Sequence, residues 1–204
     1  MWKKWEVLRG APVVEALDIQ VVDRPEAVRS AWTGLEAEGF CLPFQRYLWA
    51  EGWCAALAPT LRARPAIVLV SRSATPVLLL PLCVVQRGPV RSLEFMDGGV
   101  SDYNAPVLSG PAAGLGAPAF AVLFGRILHV VPRHDCILLR RMPAEVGGAP
   151  NPLLGLSRHL CPEEEVGHRV PLDPVRELAC CPLREAAKKR RRLARSHQIE
   201  LVVD

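Results

Sequence analysis

The sequence predicts a mixed α/β fold whose sheet is mainly antiparallel and flanked by helices. Three observations carry that expectation. Apolar, β-branched runs at 66–71, 77–86 and 90–96 follow one another across turns of a few residues, and connections that short join antiparallel neighbours. Apolar residues recur at helical spacing before and after that meander. The chain has 204 residues and is 50% apolar, which suits one domain, or one domain plus a fragment, at roughly 100–200 residues per domain.

The elements follow in order. Residues 17–22 are rich in β-branched side chains and predict a strand. Asp23-Arg24-Pro25-Glu26 predicts a helix start, with Asp23 as N-cap, proline in the first turn and Glu26 three residues on. Ala27, Val28, Ala31, Trp32 and Leu35 keep helical spacing up to Gly39, a stop signal. A second helix is expected over 44–57, with Phe44, Leu48, Trp53 and Leu57 near one face. The three-strand meander comes next, and then a Gly/Pro-rich loop over 97–117, a length that marks functional or mobile segments. Phe120, Leu123, Phe124, Ile127 and Leu128 predict a helix over 118–131, and 136–142 a strand ending at Pro143. The stretch 144–173 is irregular apart from a strand at 168–172. Pro182 opens a last helix to about His197, and 199–203 is a further strand.

Composition narrows the class. Charged residues are 23%, which excludes wholesale disorder. Proline and glycine together make 34 of the 204 residues, short of a low-complexity chain. The net charge is +4, but 184–195 alone carries +6, leaving −2 for everything else. A nucleic-acid-binding fold spreads its basic residues over a face, so nucleic acid is an unlikely partner and a solvated helix face is the plainer account of 188–192. Seven cysteines without a C-x-x-C pair fit buried, reduced thiols in the cytoplasm. No signal-peptide apolar core follows the charged N-terminus, and the longest apolar run, 77–85, contains Pro81 and is too short to span a bilayer.

The element order resembles the Gcn5-related N-acetyltransferase (GNAT) fold. The residues sharpen this: Pro43-Phe44-Gln45 with Trp49 and Trp53, Leu80-Pro81-Leu82, Asp102-Tyr103-Asn104-Ala105-Pro106, Met142-Pro143 and Asn151-Pro152. In that order they resemble the N-terminal half of the CelD/BcsL-like acetyltransferases, tandem-GNAT proteins associated with cellulose biosynthesis and related in architecture to the Fem peptidyltransferases. The likeness runs over roughly 19–204. It implies a GNAT-like, substrate-side domain over 1–181, and over 182–204 a basic helix and the first strand of a second repeat. It also implies acetyl-CoA as co-substrate and an amine or hydroxyl acceptor that attacks the thioester directly. In the tandem family the coenzyme is held by the second repeat.

The residues set limits on that chemistry. A pyrophosphate cradle needs backbone amides at a helix N-terminus. Gly110, Gly114 and Gly116 lie in the expected loop, but without the Arg or Gln the motif calls for, so no cofactor-binding residue is assigned. Asp102, Tyr103 and Asn104 put a carboxylate, a phenol and an amide side by side on a loop, able to orient a polar substrate and, at Asp102, to accept a proton. The alternative is an Asx-turn with Tyr103 as a plug. The resemblance adds Gln45 as the fourth candidate substrate-binding residue, although for it, Trp49 and Trp53 core is the plainer reading at helical spacing. His134, Cys136, His159, Cys161 and His168 lack zinc-site spacing, so no metal is expected, and there is no G-x-S-x-G elbow. A non-catalytic module for a polar ligand, a degenerate GNAT half, stays open beside the enzyme, as does a basic nucleic-acid binder.

Overall fold

The computed structural model describes residues 16–110 and 116–156, together with 188, 191 and 192. All elements below belong to one compact unit; Lys188, Arg191 and Arg192, exposed and helical, belong to a second. The expected boundary at 181/182 and the expected strands at 168–172 and 199–203 lie outside the described residues.

The fold class is the one expected. Strand β1 (Leu17–Val22) leads through a 3-10 turn at Pro25–Val28 into α1 (Arg29–Glu38). A second 3-10 turn, Pro43–Gln45, precedes α2 (Tyr47–Ala56) and the single turn α3 (Ala58–Leu61). The meander is β2 (Ala63–Arg72), β3 (Thr75–Arg87) and β4 (Val90–Phe95). Then come β5 (Val107–Leu108), α4 (Ala117–Val130), β6 (Cys136–Ile137), and a small hairpin of β7 (Glu145–Val146) and β8 (Ala149–Pro150). The six-stranded sheet runs β1-β2-β3-β4-β6, with β5 also on β3. Every pair is antiparallel except β4 with β6.

Helices cover both faces of the sheet. Trp32 and Leu35 of α1 and Tyr47, Ala50 and Trp53 of α2 pack on Ile67, Leu69, Leu79, Cys83 and Val85. Phe120, Leu123, Phe124 and Ile127 of α4 pack on Val68, Val70, Leu78, Leu80 and Leu82. Successive β3 residues therefore meet opposite layers, which is why 77–85 reads as one apolar run instead of an alternation.

Several local expectations are corrected. Asp23 does not cap a helix: the turn starts after Arg24, and neither it nor α1 has a side-chain cap. Helix α2 begins at Tyr47, after a turn with three residues per repeat, so the helical phase shifts. Tyr47 and Ala50 face inward while Leu48 is 76% exposed. The loop over 97–117 is interrupted by β5. Only Cys136–Ile137 of the expected strand 136–142 pairs, since the carbonyls of Arg140 and Arg141 are taken by Asn104. In the stretch expected to be irregular, Gly147 (φ 61°) and Gly148 (φ 80°) make a two-residue hairpin turn of the kind that demands left-handed backbone. Cys83 is buried and Cys41 and Cys54 half-buried, but Cys136 is exposed, against the expectation of buried thiols. Burial pushes the Cys41 thiol up to about 12 and the Cys54 thiol up to about 11, so neither is a thiolate near neutral pH.

Two predictions arise here. The β2–β3 turn holds Ser73 at φ 48° and Ala74 at φ 65°, a left-handed pair that favours Asn-Gly. Ala74→Gly should stabilise the protein by about 1 kcal/mol, the steric penalty glycine avoids, read as a higher urea midpoint. At the far edge, Asp135 accepts bonds from the Arg91 guanidinium at 2.9 and 3.1 Å and from its backbone N–H at 2.9 Å. These hold the Asp135 carboxyl down at about 2, from an ordinary 3.8. A depressed carboxyl stabilises the fold above its unfolded pKa and loses that contribution as pH falls through the folded one. Thermal midpoints of wild type and Asp135→Asn should therefore differ above about pH 4 and converge toward pH 2.

Candidate functional site

The break in one edge of β3 positions the candidate site. Strand β4 covers β3 as far as Leu82, β5 resumes at Leu79, and Pro81 stands between them, its carbonyl accepting Met96 N–H at 2.9 Å. Pro81 has no N–H to offer an edge strand there. The chain leaves the sheet at that break and returns at Val107, so 97–106 forms a loop at the carboxyl end of β4. Among the described residues β4 and β6 are the only parallel pair, and the carboxyl ends of parallel strands are where open α/β sheets place ligands.

The four sequence-predicted site residues meet at this loop but divide in two. Gln45 is 1% exposed and Asn104 2% exposed, whereas Asp102 and Tyr103 face solvent. Of the three loop residues read as able to orient a polar substrate, Asn104 is thus sealed from solvent. The Gln45 amide donates to the Tyr103 carbonyl at 2.9 Å and lies 3.5 Å from Asn104 Oδ1. The Trp32 indole donates to the Gln45 carbonyl at 2.8 Å. Asn104 donates from its backbone to the Arg141 carbonyl at 2.8 Å and from its side chain to the Arg140 carbonyl at 3.3 Å. Separately, Asn151 donates to the Pro143 carbonyl at 3.0 Å.

The Asx-type closures lie elsewhere than expected. Asp97 Oδ1 accepts Ser101 N–H at 2.8 Å, and Asn151 Oδ1 accepts Leu153 N–H at 3.1 Å. Asp97 closes the loop from its start, helped by Gly98 and Gly99, both at positive φ. Arg141 then clasps it, donating to the carbonyls of Gly99 at 3.1 Å and Ser101 at 2.7 Å. It does so from φ 55°, a left-handed conformation costing a non-glycine residue roughly 1–3 kcal/mol. Sequence reasoning missed Asp97, Ser101 and Arg141. The Asp-Gly-Gly at 97–99 was a readable turn signal; Arg141 left none, because its role depends on a loop 40 residues away.

The groups gathered inside the junction are neutral. Gln45 Oε1, Ser101 Oγ, Trp49 Nε1 and Trp53 Nε1 are buried without hydrogen-bond partners, while carboxylate and phenol remain on the solvent side at Asp102 and Tyr103. The arrangement offers neutral hydrogen-bonding groups inside and ionisable groups at the rim. The glycine cradle candidate falls mostly outside the described residues; Gly116 stands at the N-cap of α4. Among the described residues there is no group of three or more His, Cys, Asp or Glu placed to hold a metal, and no helix long and apolar enough to cross a membrane. No family model, curated protein or solved structure matches the chain.

Proposed function

We propose that this chain is the acceptor-side half of a cytoplasmic GNAT-like acyltransferase, with acetyl-CoA as the donor that the resemblance assigns to a second repeat. One observation carries the reading. Three polar residues of the motifs on which the CelD/BcsL-like resemblance rests are buried and hydrogen-bonded across the fold: Gln45 to Tyr103 and Asn104, Asn104 to Arg140 and Arg141, and Asn151 to Pro143. Residues recruited only for packing have no need to be polar, since a buried polar group costs free energy unless paired. In the reaction an amine or hydroxyl of the acceptor attacks the thioester carbonyl carbon. The C–S bond breaks, coenzyme A leaves as thiol, and the acceptor's proton passes to a rim carboxylate, for which Asp102 is the nearest candidate, or to water.

Mass spectrometry after incubation with acetyl-CoA and a panel of amino sugars, polyols and amines tests this directly. The expected result is acetyl transfer only when a coenzyme-holding GNAT domain is supplied, with calorimetry detecting no low-micromolar acetyl-CoA binding to the 204-residue chain itself. Tight coenzyme binding by these 204 residues would overturn the half-enzyme reading and turn attention to 110–116. A second reading, a non-catalytic module for a polar ligand, is favoured by the neutral character of the buried groups. Acceptor binding with no transfer under any of these conditions would select it.

A further inference from the structure

Four buried polar atoms without partners are a costly arrangement, on the order of 1–3 kcal/mol each, and native interiors contain few of them. Here they lie on two facing segments. Gln45 precedes α2, Trp49 and Trp53 lie one turn apart on it, and Ser101 is in the loop that Gln45 and Trp53 meet. Contacts tie the segments together: the Gln45 amide bonds to the Tyr103 carbonyl, and Trp53 Nε1 is 3.6 Å from where a Cβ on Gly98 would stand. Gln45, Trp53 and Ser101 are each at most 3% exposed. Trp49 is half-buried and meets Phe44 edge-on at 5.0 Å.

The orphaned groups specify a chemistry. Two are N–H donors, one is a carbonyl acceptor and one is a hydroxyl that can be either. An anion presents only acceptors and would leave Gln45 Oε1 unpaired and facing negative charge. A cation presents only donors and would leave both indoles unpaired. A neutral hydroxyl serves as donor and acceptor at the same oxygen, and adjacent hydroxyls meet the whole set, with aromatic side chains beside them to cover apolar C–H surface. We propose that the junction between α2 and the 97–104 loop is a binding site for a neutral polyhydroxylated ligand, closed over by that loop. Entry needs the loop to lift. The positive-φ pair Gly98-Gly99 supplies the pivot and the Arg141 bonds to Gly99 and Ser101 supply the latch. The inference takes its location from the acceptor-side reading above, but its test contains no acyl donor, so the two fail separately.

The experiment is a titration of the ¹⁵N-labelled 204-residue chain, followed through its tryptophan indole N–H signals. The Trp32 indole, already donating to the Gln45 carbonyl, is the internal control. Glycerol and D-glucose should shift the Trp49 and Trp53 signals saturably and leave Trp32 in place, while acetate and phosphate shift neither. Ser101→Ala removes an unpaired buried hydroxyl, so it should fold with an unchanged or higher thermal midpoint, yet weaken glucose binding about tenfold, one hydrogen bond's worth. Saturation by acetate or phosphate, or by acetamide without the polyols, would overturn the ligand class. No response to any probe, with cross-relaxation from the two indoles to long-lived water, would overturn the site: the four atoms would then be satisfied by internal water.

Discussion

Trp32→Ala is expected to destabilise the protein by roughly 3–5 kcal/mol, the range for truncating a fully buried aromatic. Trp32 is 0% exposed, sits on α1 between Val28 and Leu35, and meets Tyr47 edge-on with ring centroids 5.9 Å apart. Its loss opens a cavity in the layer that α1, α2 and β3 side chains share. It also leaves the Gln45 carbonyl without the indole that donates to it at 2.8 Å. Set against the 5–15 kcal/mol that holds a typical domain together, this is a large share. At about 2–4 °C per kcal/mol for a chain of this size, calorimetry should record a thermal midpoint lower by about 6–20 °C. Trp32→Phe separates the two contributions. It keeps most of the packing, removes the hydrogen bond, and should cost about 1–3 kcal/mol for the stranded carbonyl. Equal losses in the two variants would show that the hydrogen bond, not the ring's volume, dominates.

Gly39→Ala should cost roughly 2–4 kcal/mol, from overpacking and a strained pair of backbone hydrogen bonds. Gly39 ends α1 in an extended conformation, φ −118° and ψ −158°, which any residue adopts. Space is what it lacks. A Cβ here would press into the Leu108 carbonyl oxygen and stand 2.7 Å from the Leu35 carbonyl oxygen. Both are backbone atoms held in place: Leu35 O accepts Gly39 N–H at 2.9 Å, and Leu108 exchanges bonds of 2.7 and 3.0 Å with Phe40. Alanine must therefore push β5 away from the chain that follows α1. Amide hydrogen exchange should show faster exchange at Phe40 and Leu108 in the variant, with helix α1 otherwise protected. Unchanged exchange at both positions would mean that the backbone yields without cost and that the close approach is not what selects glycine.

How much of this was legible beforehand follows the range of the interactions. Strand β1 and the meander were readable because adjacent strands joined by short turns depend on nothing beyond their own residues, and α4 matched its apolar spacing almost to the residue. The helix starts were read less well. The two 3-10 turns at Pro25–Val28 and Pro43–Gln45 change the residues per turn just ahead of α1 and α2, so the face of α2 came out wrong at Leu48 while Trp53 stayed inside. Gly39 was read correctly as a stop, but for a conformational reason it does not have. At the candidate site, residue type singled out Asp102, Tyr103 and Asn104 and the family resemblance Gln45, and Gln45 bonds to Tyr103 and Asn104.

By itself, then, the sequence determined the class of the fold, the meander and the residues worth watching, because hydrophobic periodicity and turn chemistry are local properties of the chain. Only the tertiary structure decided which of those residues face inward. Gln45 and Asn104 are sealed because a loop 58 residues from Gln45 returns to cover it, and Asp102 stays in water one peptide from Tyr103. Arg141 became the clasp of that loop in the same way, by donating to carbonyls that periodicity cannot bring near it. Burial of a polar side chain is settled by the partners that arrive from elsewhere in the chain, since it is favourable only where those partners replace water.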